Sequence, residues 1–149
     1  PHIRIGANVK IQNNAQVYDP ADIGDGVFIG PGAILTNDVY PRAVAPNGES
    51  KVDSDWDSLG VTIKEGASIG ARAVILAGVT IGQWALIGAG SVVINNILDH
   101  ALCVGNPSRQ IGWVGKAGIQ LKKTKNLWVC EMTEEKYEEA RQGLVLVNT

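Results

Sequence analysis

An aliphatic residue recurs at every sixth position along most of this chain, and that period leaves few folds open. The six-residue units begin at Ile5, Ile11, Val17, Ile23, Ile29 and Leu35, and after a break at Ile63, Ile69, Ile75, Ile81, Ile87 and Val93. The fifth position of each unit is held to small or modest side chains: Val9, Ala15, Ala21, Val27, Ala33 and Val39, then Ala67, Ala73, Val79, Ala85, Ser91 and Ile97. Self-similarity at a fixed period signals a solenoid. An amphipathic helix fits badly, because a step of six falls between the helical steps of three or four and seven. Each unit supplies one short strand and one corner. Three units close a triangular coil of eighteen residues, and coils stack at about 4.8 Å, the strand spacing. The first position points into the prism, and the fifth also faces inward beside a corner. Glycines at the second position (such as Gly24 and Gly70) and the fourth (such as Gly32 and Gly66) permit corner conformations that strain other residues. The reading is an all-β chain, a parallel β-helix of four coils over residues 1–98.

The remainder, residues 99–149, leaves the repeat. Within it Glu131 to Gln142 (EMTEEKYEEARQ) reads as a short charged helix with Met132, Tyr137 and Ala140 as contacts, a cap on the open end of the solenoid. Net charge is −2 with a pI near 5.6. Scattered Lys and Arg give no nucleic-acid footprint, and no apolar run approaches a membrane span. No secretory signal is visible and the chain opens on Pro1 rather than Met, which reads as a trimmed or partial chain with cytoplasm as the default location. Cys103 beside the last coil reads as a buried, inert thiol, and a disulfide to Cys130 stays open as an alternative.

Between the two blocks of units lies a polar insertion, residues 41–60, too long for a corner. Long loops on rigid scaffolds tend to be functional or disordered, and Trp56 among acids argues against plain disorder. Asp19 and Asn37 occupy the third position of their units and are eighteen residues apart, so they should stack on neighbouring coils, with Asp38 following at the same corner. Two carboxylates and an amide beside a loop could hold and orient an amine, although Asp and Asn are also ordinary turn residues. With His2 at the chain start and His100 past the last unit, no histidine base is expected beside the loop. Two histidines also cannot supply the three ligands of a carbonic-anhydrase type metal site, and no metal is expected. Trp84 stands at a fourth position where neighbouring units carry Gly, and points outward toward another subunit or the loop, with stacking on a ligand ring as the lesser alternative.

These units resemble those of the left-handed β-helix acyltransferases. The handedness comes from that resemblance alone, since crossovers are otherwise right-handed. The stretch from Val9 to Ala43, the Asn-Asp-x-x-Pro-Arg-Ala run from Asn37, Asp55-Trp56, and the run from Val104 to Trp113 are similar to the bacterial nucleotide-sugar N-acetyltransferases. That resemblance implies acetyl-CoA as co-substrate and the 3-amino group of a UDP- or dTDP-linked sugar as acceptor. It implies direct attack on the thioester without a histidine base, and a homotrimer with sites between subunits. It assigns Asn37 to the sugar near its amine, and Asp19 (usually Glu in the family) and Asp38 to positioning or deprotonating that amine. Arg42 and Trp56 fall to the acceptor. Ala71, Ala77, Gly78 and Ala89 leave room for pantetheine, and Arg109 with Lys116 behind it suits the coenzyme A phosphates. Two alternatives stand beside this: another acceptor on the same fold, or a non-catalytic trimer that binds a ligand or partner.

Overall fold

The computed structural model describes residues 2–147, and in it the hexad rule becomes two-residue strands joined by tight corners. Strands Arg4–Ile5, Asp22–Ile23, Thr62–Ile63 and Thr80–Ile81 form the first face. Lys10–Ile11, Phe28–Ile29, Ser68–Ile69 and Leu86–Ile87 form the second, and Gln16–Val17, Ile34–Leu35, Val74–Ile75 and Val92–Val93 the third. All of these strands pair in parallel with the coil above or below, first position on first position, as in Lys10↔Phe28 and Ile11↔Ile29. The product is a parallel β-solenoid. Its core is the stack of first-position side chains, Ile23, Ile29, Leu35, Ile63, Ile69, Ile75, Ile81 and Ile87, all buried. Ala33, Ala67 and Ala73 are completely buried, so the fifth position does face inward and a larger side chain there would overpack the corner.

The corners share one hydrogen-bond rule. The backbone N–H of a fourth-position residue donates to the third-position carbonyl of the preceding coil: Gly66 to Asp25, Trp84 to Glu65, Arg72 to Pro31 and Gly90 to Ala71, each at 2.8–2.9 Å. Most fourth-position residues take left-handed backbone angles, with φ of 58° at Asn8, 66° at Gly26, 68° at Gly66 and 56° at Trp84. Trp84 lies across Gly66 of its own solenoid, where a Cβ would collide with the indole, and Lys116 Nζ sits 5.4 Å from its ring centroid. It is outward of the prism, as read from the sequence, but it rests on its own coil.

The repeat also runs past Leu98. Ile97 pairs in parallel with Ile81, and strand Ala101–Val104 joins the second face with Cys103 beside Ile87, in a register two residues shorter than the eighteen of the lower coils. Cys103 is thus a core residue; burial pushes its thiol up to about 11, which keeps it protonated and unreactive. Cys130 lies in a different cluster and both thiols are free. His100 continues the corner column, with φ of 63° and its N–H donating to Gln83 O at 2.7 Å.

Strand Arg109–Trp113 folds back antiparallel on Ala101–Val104. The chain then forms an antiparallel sheet of Lys122–Thr124, Leu127–Val129, Lys136–Ala140 and Gly143–Leu146. The helical cap expected over residues 131–142 is therefore a turn followed by a strand. Tyr137 is the reason: its completely buried ring packs with Leu121, Cys130 and Leu144, while the other residues of its strand are exposed. Strand pairing on both sides overrides the helical preference of Glu, Lys and Ala. Met132, expected as a contact, is exposed. Trp113 packs against both the solenoid core and this second cluster and joins them.

Candidate functional site

The corner from the third face to the first departs from the rule the other corners keep. By that rule Asp38 N–H would donate to the Asp19 carbonyl. Instead the Asn37 side-chain amide reaches that carbonyl, Nδ2 to O at 2.5 Å. One rung higher, Leu59, at the end of the insertion, takes the place of a coil: its N–H donates to Asn37 O at 2.8 Å and its carbonyl accepts from Gly78 N–H at 3.2 Å. Asp38 pairs with Ser58 in an isolated antiparallel bridge. The returning loop then squeezes past Pro20, where a Cβ on Gly60 would collide with the Pro20 carbonyl. The insertion is thus wedged into the solenoid, and the wedge is what frees a side chain, Asn37, to replace a backbone rung.

Asn37 and Asp19 are brought together as the eighteen-residue count required, and Asp38 adjoins them. Each keeps capacity for a ligand. Asn37 donates through Nδ2, leaving Oδ1 with no partner among the described residues. Asp38 Oδ1 accepts from Tyr40 N–H at 2.9 Å in an Asx turn, leaving Oδ2. Asp19 Oδ1 accepts from the His2 backbone N–H, leaving its Oδ2. An amine or ammonium could donate to an amide oxygen and two carboxylate oxygens here, a set suited to a cationic or neutral nitrogen.

The sequence reading missed His2 and Leu59. By sequence His2 reads as lying away from the loop, yet it lines a groove of about 400 Å³ together with Pro20 and Gly60. The signal was present: Arg4 pairs with Asp22, so the same count sets residue 2 beside Pro20. Leu59 carried the same signal read backward: it stands eighteen residues before Ala77, and its carbonyl accepts from Gly78 as a third-position carbonyl does. His100, by contrast, is buried at the far end, with Nδ1 2.9 Å from Val114 O and its ring 4.8 Å from that of Tyr137. Burial lowers its pKa against the opposing pull of the Val114 carbonyl.

The loop itself is folded. Val44 and Ser50 pair, Ala45 accepts and donates across the turn, and Asp53–Asp55 form a 3-10 turn. Lys51 Nζ lies 4.5 Å from the Trp56 ring centroid, and the Arg42 guanidinium bonds the Pro41 carbonyl at 3.0 Å.

The residues read as cofactor contacts separate onto all three corners. Ala77 and Gly78 stand above Asn37 and Leu59 on the loop-bearing corner, and Asn95 and Asn96 continue that column. Arg109 shares a groove of about 380 Å³ with Asn95 and Asn96, so it can serve the same edge. Ala71 and Ala89 belong to the corner between the second and third faces, where Gly90 N–H donates to Ala71 O. Lys116 stands against Trp84, on the corner between the first and second faces. Among the described residues no three of His, Cys, Asp or Glu gather as a ligand set for a metal, and no helix is long and apolar enough to cross a membrane.

Known proteins share both the repeat and the fold. The bacterial transferase hexapeptide (six repeats) family matches residues 2–37 and 60–95, leaving out the insertion. A dTDP-3-amino-3,6-dideoxy-alpha-D-galactopyranose 3-N-acetyltransferase of Aneurinibacillus thermoaerophilus is 46% identical over 76 residues, 50% of this chain and 40% of that protein. A maltose O-acetyltransferase from Clostridium difficile 630 superposes with a TM-score of 0.66 at 29% identity, over 76% of this chain and 60% of that one. A hexapeptide-repeat acetyltransferase from Vibrio cholerae O1 biovar eltor, complexed with acetyl coenzyme A, gives 0.63 at 28% identity, over 76% and 61%. The chain therefore spans less than two thirds of each of these relatives.

Proposed function

Because this chain is a member of the hexapeptide-repeat family of bacterial transferases, we propose that it moves an acetyl group from acetyl-CoA to the 3-amino group of a nucleotide-linked amino sugar. The observation that carries the reading is the Asn37–Asp19 contact across adjacent coils at the root of the insertion, beside which Asn37 Oδ1 has no partner among the described residues and Asp38 and Asp19 each keep a carboxylate oxygen. The curated relative acts on a dTDP-linked 3-amino sugar, and a solved neighbour holds acetyl coenzyme A.

The chemistry asks for orientation more than for a strong base. A sugar amine is partly neutral near pH 7, so holding its lone pair on the thioester carbon supplies much of the rate. Its N–H groups donate to Asn37 Oδ1 and to Asp19 or Asp38. The nitrogen attacks the carbonyl, the new C–N bond forms, the C–S bond breaks, and the ammonium proton passes by way of a carboxylate to the departing thiolate. Asn37 is fixed for this because its other amide atom is tied to the solenoid. Arg109 and the small residues Ala77 and Gly78 lie along the same edge and suit coenzyme A, and Arg42 and Trp56, both on the insertion, are assigned to the acceptor.

The third face bears Ile34, Val74 and Val92 outward, with Leu76 and Ile94 beside them, whereas the first bears the exposed Arg4–Asp22 ion pair with Thr62 and Thr80. A homotrimer that buries the third face would set the loop-bearing corner of one subunit against its neighbour. Light scattering should then give three times the chain mass.

A second reading is O-acetylation of a sugar, favoured by the likeness to the maltose enzyme. A hydroxyl needs a general base where an amine does not, so the acceptor panel separates the two. Thiol release from acetyl-CoA is expected with dTDP- or UDP-linked 3-amino sugars and not with their 3-hydroxy counterparts. Release with hydroxyl sugars alone would contradict the amine reading.

A further inference from the structure

The corner between the second and third faces takes no part in the site just described, and its chemistry is different. Its third and fourth positions are Asn13 and Asn14, Pro31 and Gly32, Ala71 and Arg72, then Ala89 and Gly90. It alone carries no carboxylate at these positions, since the other corners hold Asp25 and Glu65, or Asp19 and Asp38. A groove of about 580 Å³ runs along it, lined by Asn13, Asn14 and Arg72 over the flat surfaces of Pro31 and Ala71.

Arg72 is the unusual member. Its φ is 57°, in a left-handed position that the coils on either side give to Gly32 and Gly90. Both sides of the corner are tied: Arg72 N–H donates to Pro31 O at 2.9 Å, and Ala71 O accepts from Gly90 N–H at 2.8 Å. The first part of the Arg72 stem lies over Gly32. The guanidinium groups of Arg4, Arg42 and Arg109 bond Asp22, Pro41 and Ser108. That of Arg72 has no ion pair or hydrogen bond among the described residues. A guanidinium with no partner of its own, in a groove that also holds two carboxamides and no carboxylate, matches phosphoryl oxygens.

We propose that this groove binds the diphosphate of a nucleotide-bearing ligand, with Arg72 as the charged donor and Asn13 and Asn14 as neutral ones. The proposal rests on the acetyl-transfer reading, in which both reactants carry a diphosphate: the nucleotide of the sugar and coenzyme A. Calorimetric titration with dTDP and, separately, with coenzyme A distinguishes the two sources. Arg72→Asn removes the charge while keeping a residue that tolerates the left-handed angle. It is expected to weaken one of the two ligands about tenfold and to flatten the salt dependence of that ligand's binding. Arg72→Lys should restore part of the loss, and the thermal midpoint of Arg72→Asn should not fall. Unchanged binding of both ligands by Arg72→Asn, or no binding of either by the native chain, overturns the proposal. Acetyl transfer with Arg72-independent binding would remove the groove and leave the enzyme reading intact. Arg72-dependent binding without transfer to any amino sugar would remove the enzyme reading and leave the groove.

Discussion

Two corners flank the third face, and they solve the same problem in opposite ways. At one, the backbone ladder is unbroken: Gly32 donates to Asn13, Arg72 to Pro31 and Gly90 to Ala71. Its side chains carry none of the fold's hydrogen bonding and stand free for solvent or ligand. At the other, the insertion wedges Leu59 between coils, and a side chain, Asn37, completes a rung that a backbone amide makes elsewhere. A solenoid therefore builds a shaped polar site where its ladder is interrupted, and a displayed one where the ladder is regular. The first orients a reacting group; the second offers charge.

Small changes at each corner should separate these roles. The largest effect is expected from Gly60→Ala. The new methyl would meet the Pro20 carbonyl where the loop re-enters, and unfolding in urea should show a loss of about 3 kcal/mol, since neither backbone can yield freely. His100 is next. It is a regular corner residue whose ring is buried under the C-terminal sheet instead of exposed. Its folded pKa lies below the ordinary 6.5, so the unfolded chain binds more protons as pH falls. The stability it contributes is complete above pH 6.5 and is lost below it, by at most about 1.4 kcal/mol per pH unit. Unfolding across pH 7 to 5 should show that slope, and His100→Asn should remove it.

Gly90→Ala, at the unbroken corner, has open space for the methyl and should lose only about 1 kcal/mol, from its φ of 70°. A loss as large as that of Gly60→Ala would end the distinction between the corners. Arg72→Gly is the smallest and has the opposite sign: relief of a left-handed arginine should raise stability by about 0.5 kcal/mol, read as a small rise in thermal midpoint.

Much of the fold was legible because the hexad is a steric rule. First positions such as Ile29 and Ile69 and fifth positions such as Ala33 and Ala67 had to be buried, and the eighteen-residue count put Asn37 on Asp19. The count failed where the chain stops obeying it. Leu59 is reached only by counting back eighteen residues from Ala77, across a break that the forward count from Leu35 does not cross. The two-residue register change near Ile97 is invisible in a pattern that still shows Ile97 at a fifth position. Residues 131–142 misled because Glu and Lys favour helices, while one buried ring, Tyr137, and its pairing partners decided the outcome. For the site, spacing located the corner and the resemblance supplied the chemistry. Spacing could not show that Lys116 and Arg109 stand on different corners.

The most direct test is single-turnover thiol release from acetyl-CoA with a dTDP-linked 3-amino sugar, comparing the native chain, Asn37→Ala and Gln83→Ala. Asn37 and Gln83 are both third-position amides, one at the broken corner and one at a regular corner. The account predicts a fall of about a hundredfold for Asn37→Ala and native behaviour for Gln83→Ala. Equal rates in all three, or equal losses in both variants with unchanged thermal midpoints, would contradict it.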